Sequence, residues 1–431
     1  MIGIEVSQRI RVFPTSDQEE VLWKLSEKCR LLYNFALEER INTWKNGVKG
    51  INYYKQQNDL PELKEKFPEY KWVYSKVLQY VLRILDANYK SFFALWKRGS
   101  KKARPPKFKG KKYFTTMVYN QSGFKIGNRF IKISHKYNNV PLLLEIPEKF
   151  QFENVKQVSI SQDNLSKEYY VSICYEIDDK DYVDNGMYQA IDLGITNIVT
   201  AVNMEGKFIQ IKNKRPDKYW EKKVEDVQSK RDRCKRLSKR WYKYNEQLKH
   251  MKRKCANQIK DFQHKLSKKI VENTKANTII VGELDVKEMA SRKKGRANHK
   301  GKRSLNRAIQ NTGTLGRFVQ FLTYKAERVG KRIIRISECN TSKMCCVCGR
   351  IHDMPLWVRE MNCDCGNEID LDKNSCVNMM KRFLSQNAKW TGYQEFLGNL
   401  RHTANGKTRA PSPIFGYSSE DSQEAHEFIR G

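Results

Sequence analysis

The sequence predicts a multidomain α/β protein: an N-terminal β-domain with a helical insertion, then an α/β domain interrupted by a small cysteine-rich module. Three observations lead there. The first 185 residues alternate like short strands around two long helix-like stretches. From MYQAIDLGITNIVTAV (187–202) onward, short apolar strands are separated by helix-favouring segments. Five of the 11 cysteines fall between Cys345 and Cys365. At roughly 150 residues per domain, 431 residues fit about three domains.

Each element has its own signal. IEVSQRIRVF (4–13) reads as a strand. The helix that follows has capping-box spacing at Thr15/Gln18 and at Ser16/Glu19, and Val21, Leu22, Leu25, Cys29, Leu32 and Ala36 recur at helical spacing. A second helix is predicted from Ser75 to Trp96. The next stretch, KRGSKKARPPKFKGKKYF, is basic and interleaved with Phe108, Tyr113 and Phe114, which suits a surface that tracks a nucleic-acid backbone. Strands are expected in FIKISH, LLLEI and YYVSICYEI. Beyond the turn at Gly194, residues 212–272 read as a helical hairpin and NTIIVGEL (277–284) as a buried strand. Lys287 to Arg307 carries nine Lys/Arg against Glu288 and is expected to be a mobile loop that orders on phosphates. LGRFVQFLTYKAERVG reads as an amphipathic helix with Gly330 as its C-cap, KRIIRIS as a strand, and 404–431 as a disordered tail.

Charge narrows the function. Lys+Arg is 82 against Asp+Glu 48, a formal net charge of +34. A folded protein with that excess expects a large polyanion. No segment approaches the about 20 apolar residues of a membrane span, and no signal peptide opens the chain. The expectation is a cytoplasmic protein, prokaryotic in style, in which clustered cysteines are metal ligands before they are disulfides.

Three carboxylates stand at the ends of structured elements: Asp192 on AIDLGI, Glu283 at the end of IIVGEL, and Asp372 at the start of a helix after DLDKN. A charged group on an apolar strand is costly unless paired or bound to a cation. Converging carboxylates call for a divalent metal such as magnesium, and paired ions of that kind hydrolyse phosphodiesters. Asp285 and Asp370 are neighbouring alternatives, Asp370 being placed to cap the following turn. Cys345-x-x-Cys348 and Cys363-x-Cys365 read as a zinc ribbon with four thiolates, closed and structural. The second pair is one residue tighter than usual, which leaves Cys346 as an alternative to Cys363. His352 is read as a surface-loop residue. The zinc would then clip the loop entering the helix that carries Asp372.

These residues resemble a known family. AIDLGITNIVTA, IIVGEL and DLDKNSCVNM look like the three split motifs of a RuvC nuclease, which has an RNase H-like fold. The ribbon between the second and third is similar to that of TnpB, the transposon-encoded RNA-guided DNA endonucleases related to compact type V CRISPR nucleases. RVFPTSDQEEVL, PPKFKGKKYF and the run RSLNRAIQNTGTLGRFVQFL into the ribbon carry the resemblance over nearly the whole chain. Leu371 stands where the family has a basic residue, and Ser375 and Cys376 where it usually has alanines.

The resemblance implies a β-barrel-like wedge (WED) domain at 1–15 and 115–185, a helical REC insertion at 16–114, a RuvC domain at 186–340 and 366–403, and a zinc ribbon at 341–365. It implies magnesium on Asp192, Glu283 and Asp372, and zinc on Cys345, Cys348, Cys363 and Cys365. It further implies a monomeric ribonucleoprotein in which a guide RNA from the transposon end pairs with double-stranded DNA beside a short flanking motif. Lys76, Gln79 and Thr116 are the expected contacts near that motif. A CRISPR effector, a non-cleaving RNA-guided regulator and a structural RNA-binding protein are the rival readings. The last explains charge and zinc but not the three acids.

Overall fold

The computed structural model describes residues 4–47, 50–120, 122–148, 150, 152–178, 180–283, 315–355, 358–387 and 389–404. The predicted basic loop, Asp285 and the predicted tail beyond Ala404 lie outside them. The chain divides into two units, Met1–Asp178 and Asp179–Gly431.

Strand β1 (Ile4–Val12) opens the first unit and leads to α1 (Ser16–Lys45). Thr15 caps α1 as its spacing predicts: its hydroxyl accepts from the Gln18 N–H while Gln18 Oε1 accepts from the Thr15 N–H. Two short helices, α2 (Tyr53–Asn58) and α3 (Leu60–Lys66), and a 3-10 turn precede α4 (Ser75–Lys97). Six strands follow: β2 (Met117–Asn120), β3 (Phe124–Ile126), β4 (Phe130–Ile133), β5 (Leu142–Glu145), β6 (Val155–Gln162) and β7 (Tyr169–Ile177). They form two antiparallel sheets, ordered β1-β7-β6-β2 and β3-β4-β5. Leu22 and Leu37 of α1, Leu78 and Leu85 of α4, and Ile160 and Val171 share one core. The basic stretch before β2 is tied to α1. Asn34 exchanges hydrogen bonds with the Lys109 backbone, and the Lys109 ammonium lies 4.0 Å from the Tyr33 ring centroid. Phe114 is buried, whereas Phe108 and Tyr113 are exposed.

The second unit is built on a five-stranded sheet, ordered β10-β9-β8-β11-β12. Its members are β8 (Tyr188–Asp192), β9 (Asn197–Asn203), β10 (Phe208–Lys212), β11 (Thr278–Gly282) and β12 (Arg332–Ile336). Strands β8, β11 and β12 run parallel, and a parallel sheet is covered on both faces. The predicted hairpin forms, α5 (Pro216–Asp232) packing on α6 (Lys239–Asn273), and α6 with α7 (Leu315–Glu327) supplies one cover. Leu266 and Ile270 of α6 and Phe318 and Leu322 of α7 pack with Ile191, Ile279 and Val281. Hairpin β13 (Glu360–Asn362) and β14 (Glu368–Asp370) leads into α8 (Leu371–Gln386) and α9 (Trp390–Ala404). Val377, Met380 and Phe383 of α8 and Phe396 of α9 pack with Ala190, Ile280 and Ile336 on the opposite face. Gly194 makes the turn after β8, where a Cβ would lie 2.7 Å from the Asn197 carbonyl oxygen. Among the described residues, no helix is long and apolar enough to cross a membrane.

Candidate active site

Side chains alternate between the faces of a strand, and that alternation sorts the candidate acids. On β8, Tyr188 and Ala190 face α8, and Asp192 continues their row. On β11, Ile280 faces α8 while Ile279 and Val281 face α6 and α7. Gly282 therefore falls in the Asp192 row and Glu283 in the opposite one. Glu283 lies one residue past the strand, is exposed, and binds through its N–H to the Ile336 carbonyl at 2.7 Å. On β12, Ile334 and Ile336 pack toward α8, and Glu338 is next in that row. These positions sit at the carboxyl ends of the three parallel strands, where ligands of open α/β sheets bind.

Asp372 comes to the same place from the first turn of α8. Its Oδ2 accepts from Asn197 Nδ2 at 3.0 Å, and both its oxygens accept from the Arg359 guanidinium at 3.0 and 3.1 Å. Asp370 is the N-cap of α8: one oxygen accepts from the N–H groups of Asp372 and Lys373, each at 3.1 Å, and from Gln210 Nε2 at 3.0 Å. The cap fixes the turn and leaves Asp372 as the acid beside Asp192. Burial pushes the Asp192 carboxyl up to about 8, helped by the negative charges of Glu338 and then Asp372, against the Leu193 N–H and Arg359. Burial pushes Glu338 up to about 7. Glu338 Oε1 is buried and has no hydrogen-bond partner among the described residues. Buried polar atoms are nearly always paired, so an unpaired carboxylate oxygen beside two further acids fits a hard cation with oxygen ligands. Sequence reasoning missed Glu338 and Arg359. The period-two row Ile334, Ile336, Glu338 was the available signal for the first, and nothing local marks the second.

The four predicted cysteines converge. Cys345 and Cys365 sulfurs are 3.7 Å apart, Cys348 and Cys363 3.5 Å, and all four lie within 4.8 Å of one another. Zinc–sulfur bonds of about 2.3 Å give tetrahedral S···S edges of about 3.8 Å, so the quartet fits a structural zinc. Cys346 is buried beside it, its thiol pushed up to about 11 chiefly by burial. His352 is more than a surface residue: its Nε2 lies 3.2 Å from Cys363 Sγ. The hairpin β13–β14 carries Cys363 and Cys365 in its turn and runs directly into α8, with the Leu371 N–H bound to the Arg359 carbonyl at 2.8 Å. Buried Asn374 and Asn378 of α8 tie the helix to the backbone around Thr341 and Met344. In the first unit, Lys76 and Thr116 are exposed and Gln79 is half-buried, one turn beyond Lys76 on α4.

Three family profiles match this chain. Residues 172–309 match OrfB_IS605, described as a probable transposase, and residues 316–379 match the Cas12f1-like TNB domain. Residues 1–49 match the helix-turn-helix domain of OrfB_IS605, although their described part here is β1 followed by α1. A candidate RNA-guided DNA endonuclease of Streptomyces pristinaespiralis is 26% identical over 385 residues, covering 88% of this chain and 90% of the relative. TnpB-like protein L79 of Acanthamoeba polyphaga mimivirus is 32% identical over 145 residues, 33% of this chain and 26% of the relative. Cas12f1, in a structure of the Cas12f1–sgRNA–target DNA complex, superposes with a TM-score of 0.55 at 13% identity, over 88% of this chain and 98% of that one. This chain thus carries OrfB_IS605 domains of the kind found in TnpB proteins, on a Cas12f-like mixed α/β fold with a TNB region that holds the cysteine quartet.

Proposed function

We propose that the protein is an RNA-guided DNA endonuclease that takes its guide from a transposon end and cuts double-stranded DNA beside a short flanking motif. The observation that carries this is the meeting of Asp192 and Asp372, with a buried, unpaired glutamate oxygen beside them, in a chain of net charge +34. Relatives bearing the RNA-guided endonuclease name support it.

In this reading, residues 1–15 and 115–185 form the wedge domain and 16–114 the REC insertion. Residues 186–340 and 366–403 form the RuvC domain, and 341–365 the zinc ribbon. Lys76, Gln79 and Thr116 contact DNA near the flanking motif. Asp192 and Asp372 hold divalent cations, with a glutamate completing the set. Magnesium bound there would supply an activated water and neutralise charge on the phosphodiester. The chain's own residues do the positioning. Asp370 fixes the turn that presents Asp372, Asn197 and Arg359 orient its carboxylate, and zinc on Cys345, Cys348, Cys363 and Cys365 stiffens the hairpin behind it. The particle acts in the cytoplasm as a monomeric ribonucleoprotein.

The test is to express the chain with its native flanking DNA and sequence the RNA that co-purifies. One RNA ending in a variable segment beyond the transposon end is the expected result. RNA carrying CRISPR repeats would make the protein a CRISPR effector. Heterogeneous RNA, or none, would contradict a guided nuclease.

A further inference from the structure

We infer that Glu338 supplies the third carboxylate of the metal centre, reaching across Gly282 toward Asp192, and that Glu283 lies outside it. This rests on the proposed nuclease reading and names a ligand that the IIVGEL motif does not contain.

Register comes first. Val281 pairs with Ile191 on β8, and Gly282 pairs with Ile336 on β12. At the carboxyl edge of the sheet, Gly282 is thus flanked by Asp192 on one side and by the end of β12 on the other. Glu338 lies two residues beyond Ile336, in the row that faces α8. Glu283 is in the opposite row and exposed.

Space comes second. A Cβ built on Gly282 would lie 1.6 Å from Glu338 Oε1, 2.2 Å from Cδ and 2.3 Å from Cγ. The Glu338 carboxylate occupies the room that a side chain at 282 would fill. Glycine is needed there because the carboxylate of another residue lies over its backbone. No unusual backbone angle is involved.

Chemistry comes third. A carboxylate buried for purely structural reasons takes hydrogen bonds, because burying it unpaired is expensive. Glu338 Oε1 takes none from the described residues, although its charge acts on Asp192. A ligand oxygen waiting for a cation has that combination.

The geometry also says that the carboxylate can be moved: a glutamate at 282 projects onto the same face once Glu338 is cut back. The experiment titrates the nucleic-acid-free full chain with Mn2+, followed by electron paramagnetic resonance, with circular dichroism confirming that each variant is folded. Losing partners of metal ligands costs about 10–100-fold in affinity, so losing a ligand should cost at least about tenfold. Glu338→Gln and Asp192→Asn are expected to weaken Mn2+ binding that far, and Glu283→Gln to leave it unchanged. Glu338→Ala with Gly282→Glu is expected to recover binding that Glu338→Ala alone loses. Weakened binding in Glu283→Gln with wild-type binding in Glu338→Gln would overturn the assignment while leaving the nuclease reading intact. Wild-type binding in Asp192→Asn would overturn both.

Discussion

Arg359 donates to both carboxylate oxygens of Asp372, at 3.0 and 3.1 Å, from the base of the hairpin that carries Cys363 and Cys365. Its positive charge also acts on Asp192. In the metal-free chain it is the counter-charge for a crowded acidic site, and a cation on Asp372 would take over that task. Arg359 is half exposed, so Arg359→Ala should destabilise the metal-free chain only modestly, by about 1 kcal/mol or less. Saturating Mg2+ should remove the difference. Thermal melts with and without Mg2+ check this, and a difference that persists in Mg2+ would mean that the pair is structural.

Asn374 is fully buried on α8. Its Oδ1 accepts from the Cys346 N–H at 2.9 Å, and its Nδ2 donates to the Met344 carbonyl at 2.8 Å. Asn378 shares that carbonyl, but no side chain replaces the acceptor for Cys346. Asn374→Ala should cost about 1–3 kcal/mol, the usual loss when a buried donor is left unpaired. The shift in the urea midpoint of unfolding measures it.

Removing zinc should act locally. The cysteine quartet closes the hairpin leading into α8, whereas the core of the first unit contains none of these residues. Cys348→Ser, or a zinc chelator, should therefore raise amide exchange in β13, β14 and the first turn of α8. Peptides of α1 and α4 should keep their protection. Uniform loss of protection across both units would contradict this. Peptide-resolved hydrogen exchange separates the two results.

His264 of α6 stacks on Phe321 of α7 with ring centroids 3.8 Å apart, and Tyr324 Oη lies 3.3 Å from its Nδ1. Burial pulls its pKa down to about 4, helped by the positive charges of Lys325, Lys260 and Arg317, while Asp261 opposes. A histidine whose folded pKa lies below its unfolded value stabilises fully above the unfolded pKa. That contribution is lost as pH falls toward the folded one. Stability should thus decline between about pH 6.5 and about 4, and His264→Phe should flatten that part of a melting-temperature–pH profile. An unchanged slope would rule His264 out as its source.

Much of this architecture was legible from local pattern. Thr15 and Gln18 announce the start of α1, the long run between 212 and 272 announces a helical pair, and the spacing of Cys345, Cys348, Cys363 and Cys365 announces their convergence. Asp192 and Asp372 stood out as candidates because one ends an apolar strand and the other opens a helix. The glutamate was harder. IIVGEL is apolar on both faces, so its sequence does not show which face its last residue takes, and the motif makes Glu283 the natural choice. Assigning Glu338 requires the register of β11 against both β8 and β12, a long-range fact. Arg359 was hidden for the same reason: its partner is 13 residues away across the hairpin that carries Cys363 and Cys365.

The most direct measurement is plasmid cleavage by the purified ribonucleoprotein carrying a guide whose variable end has been rewritten to a new target. Cutting is expected at the new target alone, only with a divalent cation, and not above background in Asp192→Ala or Asp372→Ala particles that retain their RNA. Cutting that ignores the rewritten guide, or that survives loss of Asp192, would contradict guided cleavage at this site.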